Sequence, residues 1–182
     1  MSEENRGENE VFSILRECAM LGLREYGLDS GIEVQKFAQA NMTYQDKLVL
    51  MQLTHHRKVG WQAHYYKQDA IHGFKRSEEW IDEQYWSIST IKRMQNTDSA
   101  DTVTADDIAL ALVTWFNGPG LDWLRNNGMA TLPIDPTEIM VYTDDSQLYQ
   151  RRPVFEMVVQ VPKAYAKRSN EVTALEVETH PV

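Results

Sequence analysis

The chain has 182 residues, 42% of them hydrophobic, and a formal net charge of −9. That length suits one domain with a proper core, five Trp and eight Tyr argue against disorder, and a single cysteine excludes an internal disulfide and fits a reducing compartment. The acidic start MSEENRGENE is unlike a secretory signal, no apolar run approaches the roughly 18 residues of a membrane span, and the negative balance disfavours general nucleic-acid binding; the expectation is a soluble protein made in a cytoplasm.

Residues 1–8 read as a solvated start. From Asn9, Val11, Ile14, Leu15, Cys18 and Leu21 fall on one stripe of an amphipathic helix, which Gly27 or the Asp29–Ser30–Gly31 cluster stops. Cys18 on that stripe reads as a buried, inert thiol. Ile32 to Ala40 is a short strand candidate whose register breaks at Phe37, and Asn41–Met42–Thr43 is a turn.

Two long β-segments follow, Lys47 to Lys67 and Glu78 to Met94, joined by a loop around Gln68–Phe74. In the second, Trp80, Asp82, Gln84, Trp86, Ile88 and Thr90 share one side, and Ile81, Glu83, Tyr85, Ser87, Ser89 and Ile91 the other, the pattern of a half-buried strand. A strand of that length spans about 55 Å, more than the roughly 40 Å diameter of a compact chain this size. A projecting two-stranded ribbon is marginal alone in water, so length predicts a subunit of an assembly. Gly60 reads as a bulge within one strand, because a hairpin there would force the β-branched Val59 to positive φ.

Gln95 to Asp101 is a polar connection. Thr104 is an N-cap with Asp106 and Asp107 in the first turn, ahead of the stripe Ile108, Ala111, Leu112, Trp115 and Phe116. Asn117–Gly118 ends that helix, and Pro119 opens a shorter one over Leu121 to Asn126, closed by Asn127–Gly128, with Leu121 and Leu124 packing inward. Pro133 and Pro136 punctuate a loop, Glu138 to Thr143 is a strand, and Asp144–Asp145–Ser146 is a turn. The last strand starts near Pro153 and turns Phe155, Met157, Val159 and Val161 to the core. After Pro162 the alternation is weak, at Val172, Leu175 and Val177, which reads as an arm, either disordered or donated to a partner. The organisation is thus a single α+β domain over residues 1–162 and a C-terminal arm over 163–182.

Charge is uneven. Residues 47–76 hold Lys47, Arg57, Lys58, Lys67, Lys75 and Arg76 against Asp69, together with His55, His56, His64 and His72. Such a basic ribbon on an acidic body could touch phosphate, meet an acidic face on a neighbouring copy, or stand as a solvated face.

No chemistry emerges from the motifs. His55 and His56 are adjacent on a strand and point to opposite faces, while His56 and His64 lie about 26 Å apart on a straight strand, so no metal site is expected. No G-x-S-x-G elbow is present, and Cys18 has no positioned base. Gly118–Pro119–Gly120 follows a helix where a phosphate cradle would precede one, and Asp106/Asp107 and Asp144/Asp145 have capping and turn explanations. No catalytic residue and no cofactor are expected.

HHRKVGWQAHYY (55–66), EEWIDEQYWSIST (78–90), a capped helix and RRPVFEMVVQV (151–161) together resemble the neck or tail-terminator proteins of long-tailed bacteriophages. The resemblance covers about 45–161, through His56, Arg57, Gly60, Trp61 and Gln62; Glu79, Tyr85 and Trp86; and Arg152, Pro153 and Phe155. It departs from the family pattern at Lys58–Val59, between Arg57 and Gly60, and in a longer tail after Pro162. It implies an α+β subunit with an antiparallel sheet of long strands flanked by an N-terminal and a mid-chain helix. It further implies a six-fold ring of identical subunits that caps the tail tube and joins it to the head connector in the virion. The partners would be self, the tail tube protein and the connector or adaptor protein, with DNA passing through without specific binding and no membrane involved.

On that reading the chain is not an enzyme and works through β-edge pairing and an arm engaging its neighbours. Trp61, Tyr65, Tyr66, Trp80 and Trp86 are the aromatic candidates for subunit contacts, though each could equally serve the monomer's own core. Arg57 and Lys58 are expected to pair with acidic groups of an adjacent subunit. Three alternatives stay open: another connector or tail protein of the same junction; a nucleic-acid-binding module using the basic aromatic segment 47–76; and a hydrolase using the histidines.

Overall fold

The computed structural model describes residues 7–37, 47–69, 73–92, 102–134, 138–143 and 149–169, with side chains at 7–37, 47–60, 79–92, 102–134 and 152–164. In chain order its elements are helix α1 (Glu8–Glu25), strands β1 (Ile32–Lys36), β2 (Lys47–Asp69) and β3 (Gly73–Lys92), helices α2 (Ala105–Phe116) and α3 (Pro119–Asn126), and strands β4 (Ala130–Thr131), β5 (Glu138–Thr143) and β6 (Tyr149–Ser169). The Asp144–Asp145–Ser146 turn, the Gln95–Asp101 connection and the Asn41–Met42–Thr43 turn lie outside the described residues.

The fold is α+β. Six strands form one sheet in the order β1-β2-β3-β6-β4, with β5 pairing β6 as well. All pairings are antiparallel except that of β1 with β2. That exception follows from the chain's route: β1 and β2 are joined by a connection too long for a tight hairpin, and a parallel neighbour needs such a crossover.

Alternation sets the core face. Cross-strand rows put Met51 opposite Ile88 and Leu53 opposite Trp86, and Ile88 opposite Phe155 and Trp86 opposite Met157. Phe155, Met157, Val159 and Val161 are all buried, as the alternation predicts. The helices cover this face. Val11, Leu15, Cys18 and Leu23 of α1, Ile108, Leu112 and Phe116 of α2, and Leu124 of α3 join the same apolar cluster as the strands. On α1 the buried stripe is turned from the sequence expectation: Phe12, Ala19 and Leu23 are buried while Leu21 is half-buried.

Where the three helices meet, Trp115 is the wedge. Its indole Nε1 donates to Cys18 Sγ at 3.4 Å, and that thiol in turn points at the Gly120 carbonyl at 3.7 Å. The helices close on the indole through glycines: a Cβ on Gly22 would lie 2.5 Å from Trp115 Cγ, and one on Gly120 would lie 2.6 Å from the same ring. Burial raises the Cys18 thiol to about 11, so it stays protonated and packs as a small hydrophobe.

Capping fixes α2. Thr104 Oγ1 accepts from the Asp107 backbone N–H at 3.2 Å, and Asp107 Oδ2 accepts from the Thr104 N–H at 2.8 Å, a reciprocal capping box. At the other end Asn117 does more than stop the helix. Its Oδ1 accepts from the Ile134 N–H at 2.9 Å and its Nδ2 donates to the Ile134 carbonyl at 3.3 Å, which ties down the chain beyond β4.

Beyond the core, the three longest strands continue together. Pairing runs on to the row Gln68–Phe74–Ser169. From the row of Asp82 and Val161, the last core residue of β6, to Gly73 is about 30 Å of strand. The expected two-stranded ribbon is therefore a three-stranded tongue, the smallest sheet with a prospect of holding its shape. The third strand comes from residues read as the start of an arm: β6 does not end at Pro162 but runs to Ser169, and residues 170–182 lie outside the described residues. Pro162 faces Ile81 in the register, and a strand tolerates proline where the missing N–H would face an open edge.

Gly22→Ala tests the helix junction by sign. Alanine favours an isolated helix by about 1 kcal/mol, yet crowding Trp115 should lower stability by about 1–3 kcal/mol. A urea midpoint below that of the parent chain is expected, and one above it would contradict the packing described.

Candidate assembly surface

Two irregularities in β2 decide which of its side chains are presented. Register slips between Leu53 and His55 and again between Val59 and Ala63. At the first, Thr54 Oγ1 donates to the Tyr85 carbonyl at 3.0 Å. The second contains Gly60 at φ +87, so the expected bulge at Gly60 is present and glycine supplies the positive φ it needs.

After the first slip, His55 and Arg57 lie on the face away from the helices, above Tyr85 and Glu83. His55 stacks on the Tyr85 ring at 3.9 Å between centroids, with planes 17° apart. Arg57 Nε donates to Glu83 Oε2 at 2.9 Å, and its guanidinium lies 5.6 Å from the Tyr85 ring centre. Gln160 Nε2 from β6 donates to Glu83 Oε1 at 2.8 Å, and the Tyr85 hydroxyl donates to Oε2 at 3.4 Å. Glu83 thus ties all three tongue strands together at the tongue's base and is 4% exposed. The Gln160 amide first, and then Arg57, hold its carboxyl below the usual glutamate value.

The opposite face carries a second chain of contacts. Trp86 Nε1 donates to Gln84 Oε1 at 3.2 Å, Gln84 Nε2 donates to Asp82 Oδ2 at 3.1 Å, and His56 Nδ1 lies 3.4 Å from Asp82 Oδ1. Next to it Lys58 Nζ sits 4.2 Å from the centre of the Trp80 ring. His55 and His56 do point to opposite faces, and among the described residues no three His, Cys, Asp or Glu side chains gather as metal ligands would. No helix among the described residues is long and apolar enough to cross a membrane.

The interface candidates separate accordingly. Trp86 is fully buried and packs with Phe12 at 6.4 Å between rings; even-numbered positions of β3 face the helices there, so it is a core residue and presents nothing to a neighbour. Arg57 finds its carboxylate in its own chain, Glu83, because the register sets those two residues opposite each other; its side chain is still 61% exposed. Lys58 stands opposite Asp82 in the register and reaches diagonally to the Trp80 ring. Trp61, Tyr65 and Tyr66 lie on β2, and their side chains fall outside the described residues. Glu83 and Gln160 were not singled out by the sequence, and Tyr85 only through the family resemblance, since their meeting depends on a bulge and on two strand registers.

Among the described strands, the tongue runs on past its flanking strands on both sides. β1 covers only Lys47–Met51 of β2, and β4 reaches only Val159 and Gln160 of β6. From Gln52 to Asp69 on one side, and from Val161 to Ser169 on the other, no described strand lies alongside. Beside the β6 edge is an open groove of about 290 Å³ lined by Ile81, Met129, Ala130 and Pro162, with Ile81 exposed.

Comparison with known proteins gives the family. The E217 gateway protein gp29 family matches residues 10–169. The chain belongs to that family. The neck-protein resemblance therefore holds, and this gateway-family member is a structural protein of a bacteriophage virion. No curated protein matches the chain. Among solved structures, the sheath/tube terminator of an extracellular contractile injection system in its extended state is similar over 93% of this chain, at 14% identity and a TM-score of 0.46. The match spans 63% of that terminator's length, so this gateway-family chain corresponds to less than two thirds of it.

Two variants test the site. Trp86→Ala should lose about 3–5 kcal/mol of stability, read by urea denaturation; a loss well under 1 kcal/mol would contradict its place in the core. For Glu83, a depressed carboxyl stabilises the fold above its unfolded value and loses that contribution as pH falls through the folded one. The parent chain should therefore melt above Glu83→Gln at neutral pH, with the gap closing as pH drops below the ordinary value of 4.5. Parallel melting curves across that window would contradict the assignment.

Proposed function

We propose that this gateway-family chain works by assembly, as a ring of identical subunits at the head–tail junction that ends the tail tube and joins it to the head connector. Six copies are proposed, with the tube protein and the connector or adaptor protein as neighbours, the virion as its location, and DNA passing through without specific binding. The observation that carries the reading is the three-stranded tongue with an open edge on either side, in a chain that belongs to a gateway-protein family.

Open edges of such length are templates for strand addition. Identical copies set side by side would present the β6 edge of one to the β2 edge of the next, a head-to-tail contact that closes into a ring when the rotation per copy allows. An acidic chain, at −9 overall, suits a channel wall that DNA slides past. Trp80 beside Lys58, the exposed arm of Arg57, and Trp61, Tyr65 and Tyr66 on the open strand remain the proposed contact residues. The basic stretch 47–76 keeps one rival reading, a platform for single-stranded nucleic acid.

A phage lacking the gene supplies the test. Electron microscopy of its lysate should show filled heads and unattached tails, and added purified protein should restore joined particles. Intact virions without the protein would contradict the proposal. Salt-sensitive retention of single-stranded DNA, with no effect on joining, would favour the rival.

A further inference from the structure

The far end of the tongue gathers positive charge by register. Lys75 of β3 stands between Lys67 of β2 and Arg168 of β6, and Arg76 stands between Tyr66 and Lys167. Like charges directly opposite one another across strands are destabilising. Residues 61–80 and 163–169 bring Asp69, Glu78 and Glu79 against Lys67, Lys75, Arg76, Lys163, Lys167 and Arg168. A sheet built this way gains most from an anionic strand supplied from outside it.

The chain itself carries such a strand. Residues 170–182, NEVTALEVETHPV, hold Glu171, Glu176 and Glu178 and neither Lys nor Arg, with Val172, Thr173, Leu175 and Val177 of strand-forming type. This segment leaves the fold at Ser169, in the row with Phe74 at the cationic end. Fully extended it reaches about 45 Å, more than the roughly 30 Å of tongue.

We propose that residues 170–182 of one copy dock along the open outer edge of β2 at the cationic end of a neighbouring copy's tongue. The inference rests on the assembly reading above and names the surfaces that meet. In β2-β3-β6 the open β2 edge and the β6 edge lie on opposite sides of the tongue, so side-by-side copies bring the end of β6 in one next to β2 of the next. Charge decides for protein over nucleic acid, since the complementary acid is in the chain and its net charge of −9 repels polyanions.

The test uses a fluorescein-labelled peptide of residues 170–182 and the full-length chain, followed by anisotropy at low salt. The parent chain should bind it. Lys67→Glu/Lys75→Glu/Arg76→Glu in the chain should weaken binding about ten-fold, the sum expected for three exposed charge pairs. A peptide with Glu171→Lys/Glu176→Lys/Glu178→Lys should reverse the preference, binding the altered chain better than the parent, which a misfolded variant could not do. No binding, equal binding by both chains, or no reversal overturns the proposal. So does tight binding of a labelled single-stranded oligonucleotide that the peptide cannot displace. If the peptide fails while purified protein still joins heads to tails, this contact is wrong and the assembly reading stands.

Discussion

Pairing of β3 with β2 on one side and β6 on the other is the constraint on which the rest of the molecule depends. The β3–β6 register runs unbroken through two environments, while that of β2 against β3 shifts twice between them. Near the helices the two registers align Met51, Ile88 and Phe155, and Leu53, Trp86 and Met157, into rows that fill the core. Farther out the three strands run on together past the last core residue, with none of the described helices against them. A one-residue slip would turn the core rows to solvent, so burial at one end fixes the β3–β6 register that the tongue inherits at the other.

Glu83 marks the change from one environment to the other. Arg57 and Gln160 reach it from the flanking strands, and the three side chains form a polar clasp where apolar packing ends. The bulge between Leu53 and His55 makes this possible by turning His55 and Arg57 onto the face of Tyr85 and Glu83. Without that extra residue the alternation of β2 would have put Arg57 with the core-facing residues. A bulge of this kind re-aims side chains without ending the strand.

Much of the fold is legible in the sequence because the responsible signals are local. The α2 cap at Thr104, the strand Glu138–Thr143, the bulge at Gly60 and the inward set Phe155 to Val161 follow from spacing and residue type. What was hidden depends on partners distant in the chain. Residues 163–169 alternate weakly, and only the waiting edge of β3 makes them strand. The α1 stripe rotates because Gly22 must meet Trp115, a contact between residues far apart in sequence. Trp86 reads equally as core or contact until the helices are placed, and the clasp at Glu83 needs two registers and a bulge at once.

The proposed function rests on the same asymmetry. One end of the sheet is covered by the helices, and at the other the described strands run on past their flanking strands with a concentration of Lys and Arg. The most direct measurement is hydrogen–deuterium exchange of the protein as an isolated subunit and in assembled particles. The account predicts that amides from Gln52 to Asp69 of β2 become protected on assembly while those of α1 exchange as before. Unchanged exchange along β2 in the assembled state would contradict it, because the tongue's open edge would then not be where copies of this chain meet.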